Sequence, residues 1–392
     1  MVYSDKKAGS PIHKLWAAIS MVGGACERRV WARVGDYITY PNLYILLVAP
    51  PGVGKSIIND VKELWNEAVE PSGGPAFHVA SDSVTRASLV DELNEASSTR
   101  LVNASHYTYH SILLPAEEFE EFLPFYDSHT ISLLNSLWNN KAYHRESRRH
   151  GPARSIDIRN PSLHILGGVQ PAYFVAHFPP EAWTTGLARR IIMVYADVPP
   201  LRSLFDQTPN RDVIKHHILM RLGHITELYG EVKWADSAPH ELDKWHLAGG
   251  PPTPNHSKLK SYNTTRTEFL TKLSIVSAVS RTGELIVEET DLKRAMSWLF
   301  EAEKRMPDIF RAMIGKSDSQ IIEDLHYYVN MQWAVKKEGV RNALVHMFLS
   351  QRVPSEKIHN IIMTAEKSGV IMKSPSNIDL WLPRPKHLHG VE

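Results

Sequence analysis

The stretch "NLYILLVAPPGVGKS", residues 42–56, decides how the rest of the chain is read. Its first half, 42–49, is a short apolar run that reads as a buried strand, and "PPGVG" turns the chain. Beyond it Ile57, Ile58, Val61, Leu64, Trp65 and Ala68 recur at helical spacing, so the turn lies between a strand and a helix. In that context residues 49–56, "APPGVGKS", match G-x-x-x-x-G-K-[ST] with Ala49 at the first position. Pro51, Gly52, Val53 and Gly54 form the turn of a phosphate-binding loop, in which the glycines let backbone N–H groups face an anion. Lys55 reaches β- and γ-oxygens, Ser56 supplies a hydroxyl to Mg²⁺, and the helix N-terminus adds its dipole. The ligand this predicts is ATP with Mg²⁺.

Working outward, "AFHVA" (76–80), "HSILLP" (110–115), "SLHILGG" (162–168) and "RIIMVYAD" (190–197) read as further strands, with a helix over 85–96 capped by Thr85. Apolar strands alternating with helices predict an α/β fold around a central, mostly parallel sheet. An N-terminal helix is expected from Leu15 to about Val30, although Gly23 and Gly24 weaken it. Residues 211–312 read as helical. After them come three helix-like segments (319–331, 338–350, 354–368) and an alternating end, "GVIMKSPSNIDLWL", the pattern of a winged helix. The domain boundaries expected are 1–205, 206–315 and 316–392.

A nucleotide hydrolase needs carboxylates at a neighbouring strand end, and "ILLPAEEF" supplies Glu117, toward the metal, and Glu118, to polarise the attacking water. Gln170 follows the 162–168 strand, placed to sense the γ-phosphate or orient water. Arg189 and Arg190 precede the 190–197 strand, where one of them can enter a neighbouring subunit's site as a finger in trans.

The order "YPNLYILLVAPPGVGKS", "LLPAEEF", "LHILGGVQP", "GLARR" resembles the P-loop ATPase family of phage and plasmid primase–helicase-like replication proteins. That family is similar to the AAA+ class, including the minichromosome-maintenance helicases. The resemblance covers residues 10–200 and extends more weakly into a helical stretch similar to an AAA+ lid. It implies a homo-oligomeric ring, hexameric or similar, that hydrolyses ATP at subunit interfaces and acts on DNA, with Lys272 or Arg266 as a second sensor. Two departures are Ala49 for the first loop glycine and Glu117 where Asp is usual. The family's primase module is absent, so priming would fall to a separate protein.

One more stretch needs a reason. Residues 141–159, "KAYHRESRRHGPARSIDIR", hold six Arg or Lys against two acids in a chain of net charge +1. "RHGPAR" reads as a hairpin tip and "SIDI" as its returning strand. Helicases of the resembled type carry a pore hairpin at this place. Lys141, Arg145, Arg148, Arg149 and Arg154 would then line a ring pore and track the backbone of single-stranded DNA, with Tyr143 and His144 stacking on bases. In the winged helix, Lys357, His359 and Lys367 face either duplex DNA or a protein partner.

The single cysteine, Cys26, excludes an internal disulfide and a multi-thiol zinc site. The start lacks an apolar h-region and no apolar run is long enough to span a membrane, so a cytoplasmic protein of a bacterial or phage-infected cell is expected. The functions consistent with this reading are a replicative helicase, a helicase loader or replication initiator, and a protein-remodelling ATPase.

Overall fold

The structure, a computed structural model, describes residues 2–4, 7, 9–81, 83–123, 127–147, 155–178, 180–183, 186–198, 203, 205, 208–235, 237–350, 353 and 355–383. Helix α1 (Pro11–Cys26) leads into the ribbon β1 (Val30–Val34) and β2 (Tyr37–Thr39), then β3 (Tyr44–Val48). Helices α2 (Ile57–Glu67) and α3 (Arg86–Glu95) precede the hairpin β4 (Ser97–Val102) and β5 (Ser105–Ala116). Next come α4 (Phe119–Phe122), α5 (Ser128–Trp138), β6 (Tyr143–Ser147), β7 (Ser155–Arg159), β8 (Pro161–Val169), α6 (Pro171–His177) and β9 (Ile191–Tyr195). They are followed by α7 (Arg211–Glu227), β10 (Gly230–Trp234), α8 (Ser237–Leu247), α9 (Lys260–Asn263), α10 (Arg266–Arg281) and β11 (Ile286–Val287). The last elements are α11 (Glu289–Lys336), β12 (Val340–Arg341), α12 (Asn342–Ser350), α13 (Ser355–Lys367), β13 (Ile371–Lys373) and β14 (Leu380–Pro383).

The fold is α/β. The central sheet has the order β4-β5-β8-β3-β9, parallel except for β4, which returns antiparallel on β5. Strands β3, β8 and β9 are buried along their whole length, which is why they read as continuous apolar runs without alternation. A second sheet, β11-β10-β1-β2, joins segments about 200 residues apart in the chain (Val30 opposite Gly230). Two compact units follow from the contacts: Met1–Ile309 and Phe310–Glu392, with the boundary inside α11. The second unit packs α12, α13 and the end of α11 with the sheet β12-β14-β13 around Leu325, Val345, Leu349, Ile361 and Trp381.

Several expectations need correction. "AFHVA" is not a strand: it touches the sheet through one parallel bridge, Val79 to Leu113. The first helix ends at Cys26, and Val30 already belongs to β1. Residues 211–312 are interrupted by β10 and β11, strands too short to carry a period of their own. Gly23 and Gly24 do not break α1 but let it pack closely. A Cβ on Gly24 would lie 2.9 Å from Trp65 and 3.0 Å from Leu113. Thr85 caps α3 in a reciprocal capping box with Ser88, worth about 1 kcal/mol. Among the described residues no helix is long and apolar enough to cross a membrane.

Two buried imidazoles tie the core to pH. The ring of His164 accepts from the Leu43 N–H at Nδ1 (3.1 Å) and donates from Nε2 to Ser20 Oγ (2.8 Å). Burial, then the nearby Lys272 charge, pulls its pKa down to about 3. Burial likewise holds His13 at about 4, with Lys55 adding to the effect. Both groups are neutral in the folded chain and bind protons more readily unfolded. Their stabilisation is therefore complete above the unfolded value near 6.5 and is lost as pH falls toward 4 and 3. At pH 5 each costs about 2 kcal/mol relative to pH 8. The denaturant midpoint should fall across that range, and fall less steeply in His164→Gln. An unchanged slope in the variant would remove His164 from the account.

Candidate functional site

At the carboxyl end of β3 the ladder continues one residue, with Ala49 N–H donating to Val169 C=O (3.1 Å), before the chain turns through 50–56. Gly52 and Gly54 have φ of +80° and +93°, the left-handed region that favours glycine. Val53 anchors the turn from below, packed with Ala49, Ala196 and Ile12, while Pro51, Gly52 and Ser56 are exposed. The N-terminal segment braces it: Ser10 N–H donates to Val53 C=O (3.3 Å). The Ala49 methyl lies in that apolar floor, and its carbonyl receives the Lys55 ammonium (3.2 Å). A backbone carbonyl accepts this bond whatever side chain its residue carries. Half-burial lowers the Lys55 pKa, against the opposing pull of Glu118, Glu120 and Glu117.

Glu117 and Glu118 follow β5 directly, level with the end of β8, since Ala116 pairs with Gly167. Asn59, on the first turn of α2, donates its amide to Glu117 Oε2 (2.6 Å). Together with Ser81, Val84 and Phe122 the two carboxylates line a cleft of about 270 Å³. Gly168 is required here by space: a Cβ would lie 2.3 Å from the Glu117 carbonyl oxygen. Gly168→Ala must therefore displace the Glu117 backbone, and overpacking of this kind is expected to cost about 1–3 kcal/mol of stability, read as a lower denaturation midpoint. A Gly168→Ala chain with an unchanged midpoint would contradict that placement.

Gln170 lies one residue beyond β8, and its backbone N–H donates to Glu120 Oε1 (3.2 Å). Glu120 and Asn59 are the residues that the sequence reading missed. "EEFEE" repeats one charge, so nothing in it singles out the third acid, and Asn59 is one polar residue on a helix surface. The loop, Glu117, Glu118 and Gln170 thus converge at the carboxyl ends of β3, β5 and β8, the edge where open α/β sheets bind ligands.

The remaining predicted residues lie elsewhere. Arg189 and Arg190 precede β9 at the amino end of the strands, level with Tyr44. Arg190 is buried and donates to Gly186 C=O (2.7 Å), Asn139 Oδ1 (3.0 Å) and Asn135 Oδ1 (3.3 Å), so it holds structure. Arg189 is half-exposed with no ion-pair or hydrogen-bond partner among the described residues. Lys272 is also at the amino end. It is fully buried, donates to Asn42 C=O (2.9 Å) and Asn42 Oδ1 (2.7 Å), and lies 3.8 Å from the Trp138 ring. Burial lowers its pKa to about 8, with Glu268 opposing. Arg266 is locked by Glu303 (2.6 Å) and by the Gly250 carbonyl. Both side chains are thus held by partners of their own, Lys272 by Asn42 and Arg266 by Glu303.

The basic stretch is a two-stranded hairpin, with Tyr143 opposite Arg159 and Ser147 opposite Ser155. Lys141 and Arg145 are exposed; Arg145 pairs with Asp157 (3.3 Å) over the Tyr143 ring. Arg148, Arg149 and Arg154 lie outside the described residues. Tyr143 is exposed, but His144 is half-buried beside Glu146, which also holds Arg86 of α3 (2.8 Å). His144 is turned to α3 and not available to stack. In the second unit Lys357, His359 and Lys367 are exposed on α13.

No group of three or more His, Cys, Asp or Glu side chains able to hold a metal occurs among the described residues. Mg²⁺ needs no such cage, because it keeps waters and binds through one or two protein oxygens and substrate phosphates. The exposed Ser56 hydroxyl and the Asn59-held Glu117 carboxylate fit that demand. No protein-family model matches the chain, and no curated protein sequence matches it.

Proposed function

We propose that this chain is an ATP-hydrolysing, ring-forming motor acting on DNA, with an AAA+-like P-loop core, a helical lid and a C-terminal winged helix. The reading that fits best is a replicative helicase of a phage or mobile element. The observation that carries it is the convergence of the glycine loop, Glu117, Glu118 and Gln170 at one sheet edge, with Arg189, which has no side-chain partner among the described residues, at the opposite edge. On this reading Lys55 leaves the Ala49 carbonyl for the β- and γ-phosphate oxygens of ATP. Glu118 takes the proton of the attacking water, and Gln170, fixed through its backbone by Glu120, orients that water. Ser56 and Glu117 would hold Mg²⁺, which supplies positive charge against the phosphate oxygens. Arg189 is too far along the strands to serve its own loop and serves a neighbour's. The basic hairpin tracks the DNA backbone, and its anchor on Arg86 links it to the helix after the cleft wall at Ser81 and Val84.

Mixing two inactive variants tests the assembly directly. Lys55→Ala lacks a working site but keeps the finger; Arg189→Ala is the converse. Combined before assembly, they should regain turnover that neither shows alone. An assembled mixture that stays inactive would exclude a finger in trans.

A further inference from the structure

The second sheet, β11-β10-β1-β2, buries one face and presents the other to solvent. Val30, Ala32 and Val232 are buried, so alternation turns Trp31, Arg33, Glu231 and Lys233 outward. The antiparallel register sets Ile38 opposite Arg33, and Ile38 is 47% exposed. A solvent-facing sheet surface ordinarily carries polar side chains. This one carries rings. Trp31 lies 5.3 Å from Tyr229 and 6.3 Å from Tyr40 between centroids, and all three are half-exposed.

Charge identifies the occupant. Arg33 is exposed and pairs with Glu231 at 3.5 Å. Lys233 is exposed and its ammonium has no partner among the described residues. The Arg28 guanidinium lies 4.5 Å from the Tyr40 ring centroid and donates to Asn140 C=O (2.6 Å), at the foot of the basic hairpin. Beside that foot Lys141 and Arg159 are exposed. Aromatic rings interleaved with cations, continuous with a basic hairpin, suit a polyanion with stacking bases better than they suit an apolar protein face.

We propose that this sheet face is a second nucleic-acid surface, a platform on which unpaired bases of a single strand stack on Trp31, Tyr40 and Tyr229 as the strand leaves the hairpin. The inference rests on the reading that the chain handles single-stranded DNA, and the test separates the two. The full chain is bound to a 5-bromodeoxyuridine oligonucleotide of about 16 nucleotides, irradiated, and the adducts mapped. Adducts are expected in peptides containing Trp31, Tyr40 or Tyr229. Tyr40→Leu and Tyr229→Leu, which keep an apolar side chain in the cluster, should each weaken binding roughly 5- to 150-fold. The salt dependence should not change, because no phosphate-neutralising cation is removed.

Adducts confined to residues 141–159, with full affinity in both leucine variants, would overturn the platform and leave DNA binding standing. Leucine variants that alter sedimentation without altering DNA affinity would give the face to a second copy of the chain and overturn the proposal. A wild-type chain that binds no single strand would bring down the platform and the DNA reading together.

Discussion

Arg189→Ala is expected to lower ATP turnover by roughly 10³- to 10⁵-fold, the range by which arginine fingers accelerate phosphoryl transfer. It should do so without loss of stability, since the side chain is half-exposed and makes no bond among the described residues. Arg190→Ala is expected to behave in the opposite sense. It removes a buried guanidinium from the Gly186 carbonyl and from two asparagine side chains, Asn135 and Asn139. Those acceptors are left unpaired at about 1–3 kcal/mol each, so the loss should appear in a denaturation midpoint. The two neighbours share a charge and a sequence context, and only their surroundings separate them. Equal turnover losses with equal stability would contradict this division of roles.

The second large effect is expected at Lys55. Lys55→Ala should cut turnover by at least 10²- to 10³-fold, the magnitude for removing one donor aimed at developing charge. Folding should be spared, because among the described residues the ammonium makes a single hydrogen bond, to Ala49 C=O, on a half-buried side chain. Asn59→Ala offers a milder comparison: it frees the Glu117 carboxylate and leaves the loop intact. A Lys55→Ala chain with unaltered turnover would place the chemistry elsewhere.

The parts of the site that were legible in the sequence are those made by local chemistry. An apolar run ending in glycines and Lys55 states its own geometry, and so do acids directly after "SILLP". Gly168, by contrast, matters through a carbonyl just beyond the end of another strand, and no local pattern announces that contact. The burial of Lys272 and Arg266 is hidden for the same reason. A basic residue in an amphipathic helix reads as exposed, whereas Lys272 reaches Asn42, 230 positions away, and ends over the Trp138 ring. The second sheet was invisible because β1 and β10 are five-residue strands whose partners lie across the chain. Its cluster of rings emerges only once the register aligns Trp31 with the β10 strand. "AFHVA" failed in the other direction, since apolar composition alone does not supply a ladder.

The account's central claim is DNA-coupled ATP hydrolysis by an assembled chain. The most direct measurement is steady-state ATP turnover of the assembled protein with and without single-stranded DNA, with Lys55→Ala as the blank. The account predicts turnover above the blank that DNA raises, and a rise that is lost when Arg145, Arg148 and Arg149 are replaced by alanine. Turnover that ignores DNA in an assembled protein, or turnover no higher than the Lys55→Ala blank, would contradict it.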